Sequence, residues 1–229
     1  MKKHHILFLS LLISAVYACR SNQEEIVTKG LEYFPLEIGQ KHTYKIDTVI
    51  YDLFQKKIDT FSNIVYEEIV DKYVDFNGDT MYRVELSTYD NVKLKYVVFK
   101  SFLRSVKDNF ALENMNNSTE VKMIFPISAY KTKGSNYTWN ANMYNNREPD
   151  IVKYTSVFVP YNNGVTTFNN CVSIKLNRPL RGTINKIKEE VYAKDIGLVY
   201  RFTDSTDLLK TPSNDTFPSG KRIFIKLIN

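Results

Sequence analysis

Apolar and polar residues alternate with a period of two along most of the chain, the pattern of strands that bury one face. Tyr44, Ile46, Thr48 and Ile50 share one parity, as do Tyr82, Val84 and Leu86. Val92, Leu94, Tyr96 and Val98 continue the pattern, followed by Val121, Met123 and Phe125, then Val152, Tyr154 and Phe158. Later runs are Val172-Ile174-Leu176, Leu198-Tyr200-Phe202 and Ile223-Ile225-Leu227. One stretch, Val65, Tyr66, Ile69, Val70 and Tyr73, also fits a helical face, and its β-branched content assigns it to a strand. Asn77-Gly78, Lys133-Gly134-Ser135, Asn162-Asn163-Gly164 and Arg181-Gly182 punctuate the runs as turns. Asp204 to Gly220, with two prolines and several Ser, Thr and Asp residues, predicts a loop.

Composition sharpens this picture. The 229 residues include 16 Tyr and 14 Phe, which favour pleated, half-buried surfaces over helices. Roughly ten strands joined by short turns predict a meandering antiparallel sheet, near the limit at which an open sheet curls. The expected fold class is mainly β, a curved antiparallel sheet, half-barrel or barrel-like, in a single domain; a two-sheet sandwich is the competing outcome. A sheet curled short of closure encloses a groove.

The N-terminus has a different grammar. Lys2 and Lys3 precede a run from Ile6 to Ala18 that is almost wholly apolar, too short to span a bilayer. It matches the apolar region of a secretory signal peptide. Val16-Tyr17-Ala18-Cys19 resembles the lipobox of bacterial lipoproteins, with Tyr17 where a small residue is usual. The resemblance implies cleavage after residue 18 and acylation of Cys19, including palmitate, as a membrane anchor in the Gram-negative outer membrane. An ordinary secretory cleavage with an incidental thiol is the plainer alternative. Two or more acyl chains hold a protein firmly where one holds marginally. The expected organisation is a signal peptide over 1–18, a flexible tether over 19–32 and an antiparallel β domain over 33–229. Arg20 is not the aspartate that commonly marks inner-membrane retention, and Gln23-Glu24-Glu25 loosely resembles a surface-export patch.

Tyr33-Phe34-Pro35-Leu36-Glu37-Ile38-Gly39, followed by Tyr44, resembles the opening of a group of secreted bacterial proteins of uncharacterised function. Their opening is an aromatic-Pro-Leu-x-x-Gly motif and then Trp-x-Tyr. A Gly-then-Trp element recurs at Gly134 and Trp139, and Ala193-Lys194-Asp195-Ile196-Gly197-Leu198-Val199 resembles the group's closing signature. His42 stands at the usual Trp position and Asp195 at a usual Gly. The resemblance implies a curved antiparallel sheet and transfers no activity. The same motifs also fit a purely structural role: Pro35 fixing φ, Gly39 turning the chain, Gly197 bending it before the next strand.

Chemistry is sparse. Removing Lys2 and Lys3 with the signal leaves 29 basic against 25 acidic residues, and the basic ones are dispersed among apolar positions, including Lys93/Lys95, Lys186/Lys188 and Lys221/Arg222. That distribution does not suit nucleic acid, which needs them on one face with aromatics. Two cysteines exclude a disulfide scaffold and an iron–sulfur protein. Cys171 lies in a strand without a neighbouring base and predicts no thiolate chemistry. His42 is the only histidine of the mature chain, and no Gly-x-Ser-x-Gly elbow exists. Asp75-Phe76-Asn77-Gly78-Asp79 has the alternating oxygens of a calcium loop but not its spacing, and a hairpin turn explains it as well. The Glu67-Glu68 and Glu189-Glu190 pairs point to opposite faces of a strand and cannot act together. Carboxylates assembled from distant strands would reopen the case for a hydrolase. The expectation is no catalytic residue, no metal and no cofactor, in a binding or carrier module for an apolar ligand. The rival is a surface adhesion or envelope-assembly component, motivated by Tyr- and Asn-rich loops at Asn136–Tyr144 and Tyr161–Asn163.

Overall fold

Alternation over this many segments leaves the chain one way to satisfy its backbone, by pairing each strand with the next. The computed structural model describes residues 30–127, 138–179, 184–210 and 216–229. The lipobox, Gly134 and the Lys133 and Arg181 turns lie outside these residues. The strands are β1 (Lys41–Asp52), β2 (Lys57–Val74), β3 (Thr80–Asp90), β4 (Lys95–Lys107), β5 (Phe110–Met115) and β6 (Ser118–Ile124). They continue as β7 (Thr138–Asn140), β8 (Ile151–Asn162), β9 (Thr167–Pro179), β10 (Ile184–Ala193), β11 (Gly197–Lys210) and β12 (Thr216–Leu227). All belong to one antiparallel sheet in the order β6-β5-β4-β3-β2-β1-β12-β11-β10-β9-β8-β7. No helix among the described residues is long and apolar enough to cross a membrane.

The two ends of that order meet, so the sheet is nearly closed into a barrel. Val121 N donates to Ala141 O at 2.8 Å, and Trp139 Nε1 donates to Val121 O at 3.1 Å. Asn145 Nδ2 donates to Thr119 O, and the Tyr154 hydroxyl donates to Ile124 O. The seam thus rests mainly on side chains, where every other strand boundary is a ladder.

Three expectations need correction. Val92 and Leu94 are in a turn, not a strand, and are 92% and 74% exposed. Asp90 Oδ1 accepts from Val92 N and Lys93 N, and Leu94 takes φ 50°. The β1–β2 turn repeats the device, with Asp52 Oδ1 accepting from Phe54 N and Gln55 N and Lys56 at φ 50°. Such Asx turns need no glycine, so glycine-based punctuation misses them. Second, Asp204–Lys210 and Thr216–Gly220 are paired strand, with Asp204 opposite Arg222 and Leu208 opposite Pro218. Pro218 lies beyond the last β1 partner, Tyr51 opposite Gly220, where its missing N–H costs no ladder bond. Third, the tether residues 30–32 belong to the folded body. Gly30 is buried, Leu31–Tyr33 forms a 3-10 turn, and Asp195 N donates to Glu32 O at 2.7 Å.

The opening and closing motifs meet at this end of the barrel. Pro35 packs over Gly197, whose φ of +95° lets β11 begin directly after the turn. The Tyr33 hydroxyl donates to Asn170 Oδ1 at 2.6 Å, Gly39 N donates to Ile69 O, and Gln40 Nε2 donates to Ile196 O. Residues 30–40 form a strap across the barrel end. Asp195, at the usual glycine position, has φ 61°, which Asp tolerates better than most residues.

The larger of two core clusters fills one side of the interior. Val121, Met123, Trp139, Val152, Leu176 and Val191 pack between β6 and β10, all under a tenth exposed. Across β1–β4 and β12 a smaller buried cluster of Ile69, Val84 and Phe102 leaves a groove beside it.

Candidate functional site

Direct pairing places Tyr44, Ile46 and Thr48 of β1 beside Leu227, Ile225 and Ile223 of β12 on the inward face. Val65 of β2 lies opposite Tyr44. Leu86 of β3 faces Glu67 on β2 and Lys100 on β4. All of these but Leu227, together with Phe99, Phe102 and Leu198, wall a groove of about 280 Å³. That is near the lower end of ligand pockets, roughly 300–1,000 Å³.

The floor is charged. Arg104 grips Glu67 with two parallel bonds, Nη1 to Oε1 at 2.8 Å and Nη2 to Oε2 at 2.9 Å. Its Nε donates to Glu113 Oε2 at 3.3 Å, and Glu113 Oε1 lies 4.0 Å from Arg201 Nη2. Arg201 Nε is 2.7 Å from Glu190 Oε1. Lys122 Nζ donates to Glu190 Oε1 at 2.7 Å and to Glu120 Oε2 at 2.9 Å, and Lys188 joins Glu120 at 2.8 Å. The Tyr192 hydroxyl donates to Glu190 Oε2. Since β6 and β10 are far apart in the sheet order, the Lys122–Glu190 contact crosses the barrel interior. Four carboxylates and four cations therefore form a continuous chain of opposite charges.

These charges set each other's proton affinity. Burial alone would raise the Glu67 carboxyl, but Arg104 and its hydrogen bonds outweigh it and hold the group at about 2. Burial is likewise outweighed at Glu120 by Lys122 and Lys188, and at Glu190 by Lys122, Lys188 and Arg201, so both lie below the carboxylate range. Burial pushes the Tyr44 and Tyr192 hydroxyls up. The structure does bring distant carboxylates together, but these three are held ionised, unlike a general acid, whose pKa must be raised.

Of the residues singled out by sequence, His42, Glu67 and Glu190 sit at this floor. His42 Nδ1 lies 3.6 Å from Glu67 Oε1, an imidazole at the end of the charged chain. Glu67 is buried in the network, whereas Glu68 points outward to an exposed contact with Lys41. Glu190 is the hub. Cys171 is buried and free, and burial pushes its thiol up, away from thiolate. Asp75 binds its own turn: Oδ1 accepts from Asn77 N and Asp79 N at 2.9 Å, lowering its carboxyl. Lys107 donates to Asp79 at 2.6 Å. No group of three His, Cys, Asp or Glu suited to a metal exists among the described residues. Cys19 lies outside the described residues. In the Asn-rich loops Asn163, 3% exposed, donates to Val199 O and Leu227 O, and Asn142 donates to Glu148 O.

Arg104, Glu113, Glu120, Lys122 and Arg201 escaped sequence reasoning, and Lys188 entered it only as one of the dispersed basic residues. One signal was available. Glu67 shares its parity with Val65 and Ile69, and Glu113 with Ala111 and Met115, so both acids had to point inward with the apolar set.

A second hollow, about 470 Å³, lies between β1–β4 and is lined mainly from their outward faces by Tyr66, Tyr96, Glu68 and Glu85. Its acids are answered by solvent-exposed Lys41 and Arg83.

No protein-family model matches the chain, and no curated protein matches it. The solved structure of a Parabacteroides distasonis protein, provisionally called a lipoprotein, is similar with 12% identity and a TM-score of 0.46. That alignment covers 86% of this chain and 97% of the other. A Bacteroides fragilis protein, provisionally called exported and given a YmcC-like fold, aligns at 11% identity with a TM-score of 0.36. It covers 85% of this chain and 96% of its own. Neither likeness carries a functional argument at these scores.

Proposed function

We propose that the protein is a non-catalytic, lipid-anchored extracytoplasmic module of the cell envelope that carries an apolar ligand in the groove. The observation that carries this reading is the groove itself: Ile46, Leu86, Ile223 and Ile225 stay only partly buried around a cavity of about 280 Å³, while the half of the barrel between β6 and β10 is packed. Open apolar surface of this kind is costly unless something covers it. The location rests on Lys2-Lys3, the apolar run to Ala18 and the adjoining Cys19.

A naphthalene-sulfonate dye is expected to brighten in the mature wild-type domain. Thr48 lines the groove, and Thr48→Trp, which fills it, should weaken dye binding about tenfold or more with the urea midpoint kept. A wild-type domain that leaves the dye dark removes the carrier reading. For the anchor, Cys19→Ser should move the protein from the membrane fraction to the soluble extracytoplasmic fraction; retention on the membrane overturns it.

The envelope-assembly reading has one observation in its favour. The β1–β2 and β3–β4 turns present Phe54 and Val92 at 98% and 92% exposure, apolar tips suited to a protein contact.

A further inference from the structure

We infer that the ligand of the groove is an anionic amphiphile, an apolar tail carrying one carboxylate or phosphate head, with the head seated on Arg201 at the floor. This rests on the groove being a binding site.

Arg201 is unevenly engaged. Its Nε lies 2.7 Å from Glu190 Oε1 but outside hydrogen-bond geometry. Its Nη2 reaches Glu113 only at 4.0 Å. Arg104, by contrast, is fully forked onto Glu67. A guanidinium has five N–H donors, so Arg201 keeps donor capacity along the edge that lines the groove.

Lys100 is the second observation. It lies on the groove wall opposite Leu86, and no carboxylate engages it among the described residues. The charges lining the groove are Arg104, Arg201 and Lys100 against Glu67 and Glu113, an excess of one positive charge. Apolar walls call for a tail. A floor with spare donors under a surplus positive charge calls for one negative head. A ligand that was apolar throughout would seal those donors from water without an acceptor.

Calorimetric titration of the mature wild-type domain with decanoate, decyl phosphate and decan-1-ol at neutral pH tests this. Decanoate or decyl phosphate is expected to bind about tenfold or more tightly than the alcohol, the worth of a charge-assisted hydrogen bond. Whichever acid binds better identifies the head as carboxylate or phosphate. Arg201→Gln should bring the preferred acid down to the level of the alcohol. Because Arg201 also touches Glu190, Lys100→Gln, outside the floor, is the second variant and should weaken the acid about threefold while sparing the alcohol. Equal wild-type affinity for acids and alcohol overturns the headgroup inference and leaves the groove reading standing. An Arg201→Gln protein that folds and keeps the wild-type preference overturns the assignment to Arg201. Binding of none of the three removes the groove reading itself.

Discussion

Replacing Glu190 with Gln is expected to lower the unfolding free energy by about 3–5 kcal/mol, the range for breaking a buried ion pair by removing one partner. Glu190 is 3% exposed and is the point where three cations converge. Lys122 and Arg201 each reach its Oε1 at 2.7 Å, and Lys188 lies at 3.5 Å. The amide keeps the shape and loses the charge. Lys122 and Lys188 retain Glu120, but Arg201 retains only the 4.0 Å contact to Glu113. A buried cation without its counterion recovers no hydration, so the loss falls on the folded state alone. The control is Lys41→Met. Lys41 pairs with Glu68 at 3.3 Å with its side chain 70% exposed, and its removal should cost under about 1 kcal/mol. Urea titration of both variants checks the contrast. The double variant Glu190→Gln, Lys122→Met should lose less than the sum of its parts, since each removal answers the other. A loss for Glu190→Gln no larger than for Lys41→Met would refute the network as drawn.

The fold was legible because alternation is a local signal. Ile69 and Val65, which also fitted a helical face, lie with Glu67 on the inward side of β2 as their β-branched neighbours implied. Parity fails at bulges. Lys122 has the opposite parity to Val121 and Met123, yet all three are buried, because the β5–β6 register shifts between Ala111 and Leu112. Cys171 and Val172 are both buried beside another irregularity, Asn170 at φ 56°. The polarity of Asp204–Gly220 predicts a loop. Its polar groups find partners across the pair instead: Arg222 Nε donates to Asp204 Oδ2 at 2.9 Å, and its Nη1 donates to the Tyr51 hydroxyl. The floor was the least legible part. Lys122 and Glu190 are 68 positions apart and on strands that never pair, so only closure of the sheet brings them together. Nothing local in either strand encodes that meeting, whereas the inward parity of Glu67 and Glu113 was there to be read.

Acidification is expected to unfold the protein as pH falls from about 4.5 towards about 2, the interval between the ordinary Glu value and that of buried Glu67. The sign follows from which state binds protons first. Glu67 has its folded value depressed, and Glu120 and Glu190 are shifted the same way. Above the ordinary value these carboxylates are ionised in both states and their contribution to stability is whole. As pH falls the unfolded chain takes up protons first, and the contribution is lost as pH passes down through the folded values. One unit of depression corresponds to about 1.4 kcal/mol, so Glu67 alone contributes on the order of 3 kcal/mol. Glu120 and Glu190 add to it in the same direction, against a whole-domain stability of about 5–15 kcal/mol. Protonation also leaves Arg104, Lys122 and Arg201 facing neutral groups in the interior, which steepens the transition. Trp139, the only tryptophan and 7% exposed, reports the opening through its emission. High salt should leave the transition in place, because buried pairs are screened far less than exposed ones. Glu67→Gln should be less stable at neutral pH and lose less on acidification, since one of the three groups no longer titrates. An unfolding free energy that stays flat through this interval would mean that the carboxylates at the floor are not held by the cations around them, and the charged floor of the groove would fall with it.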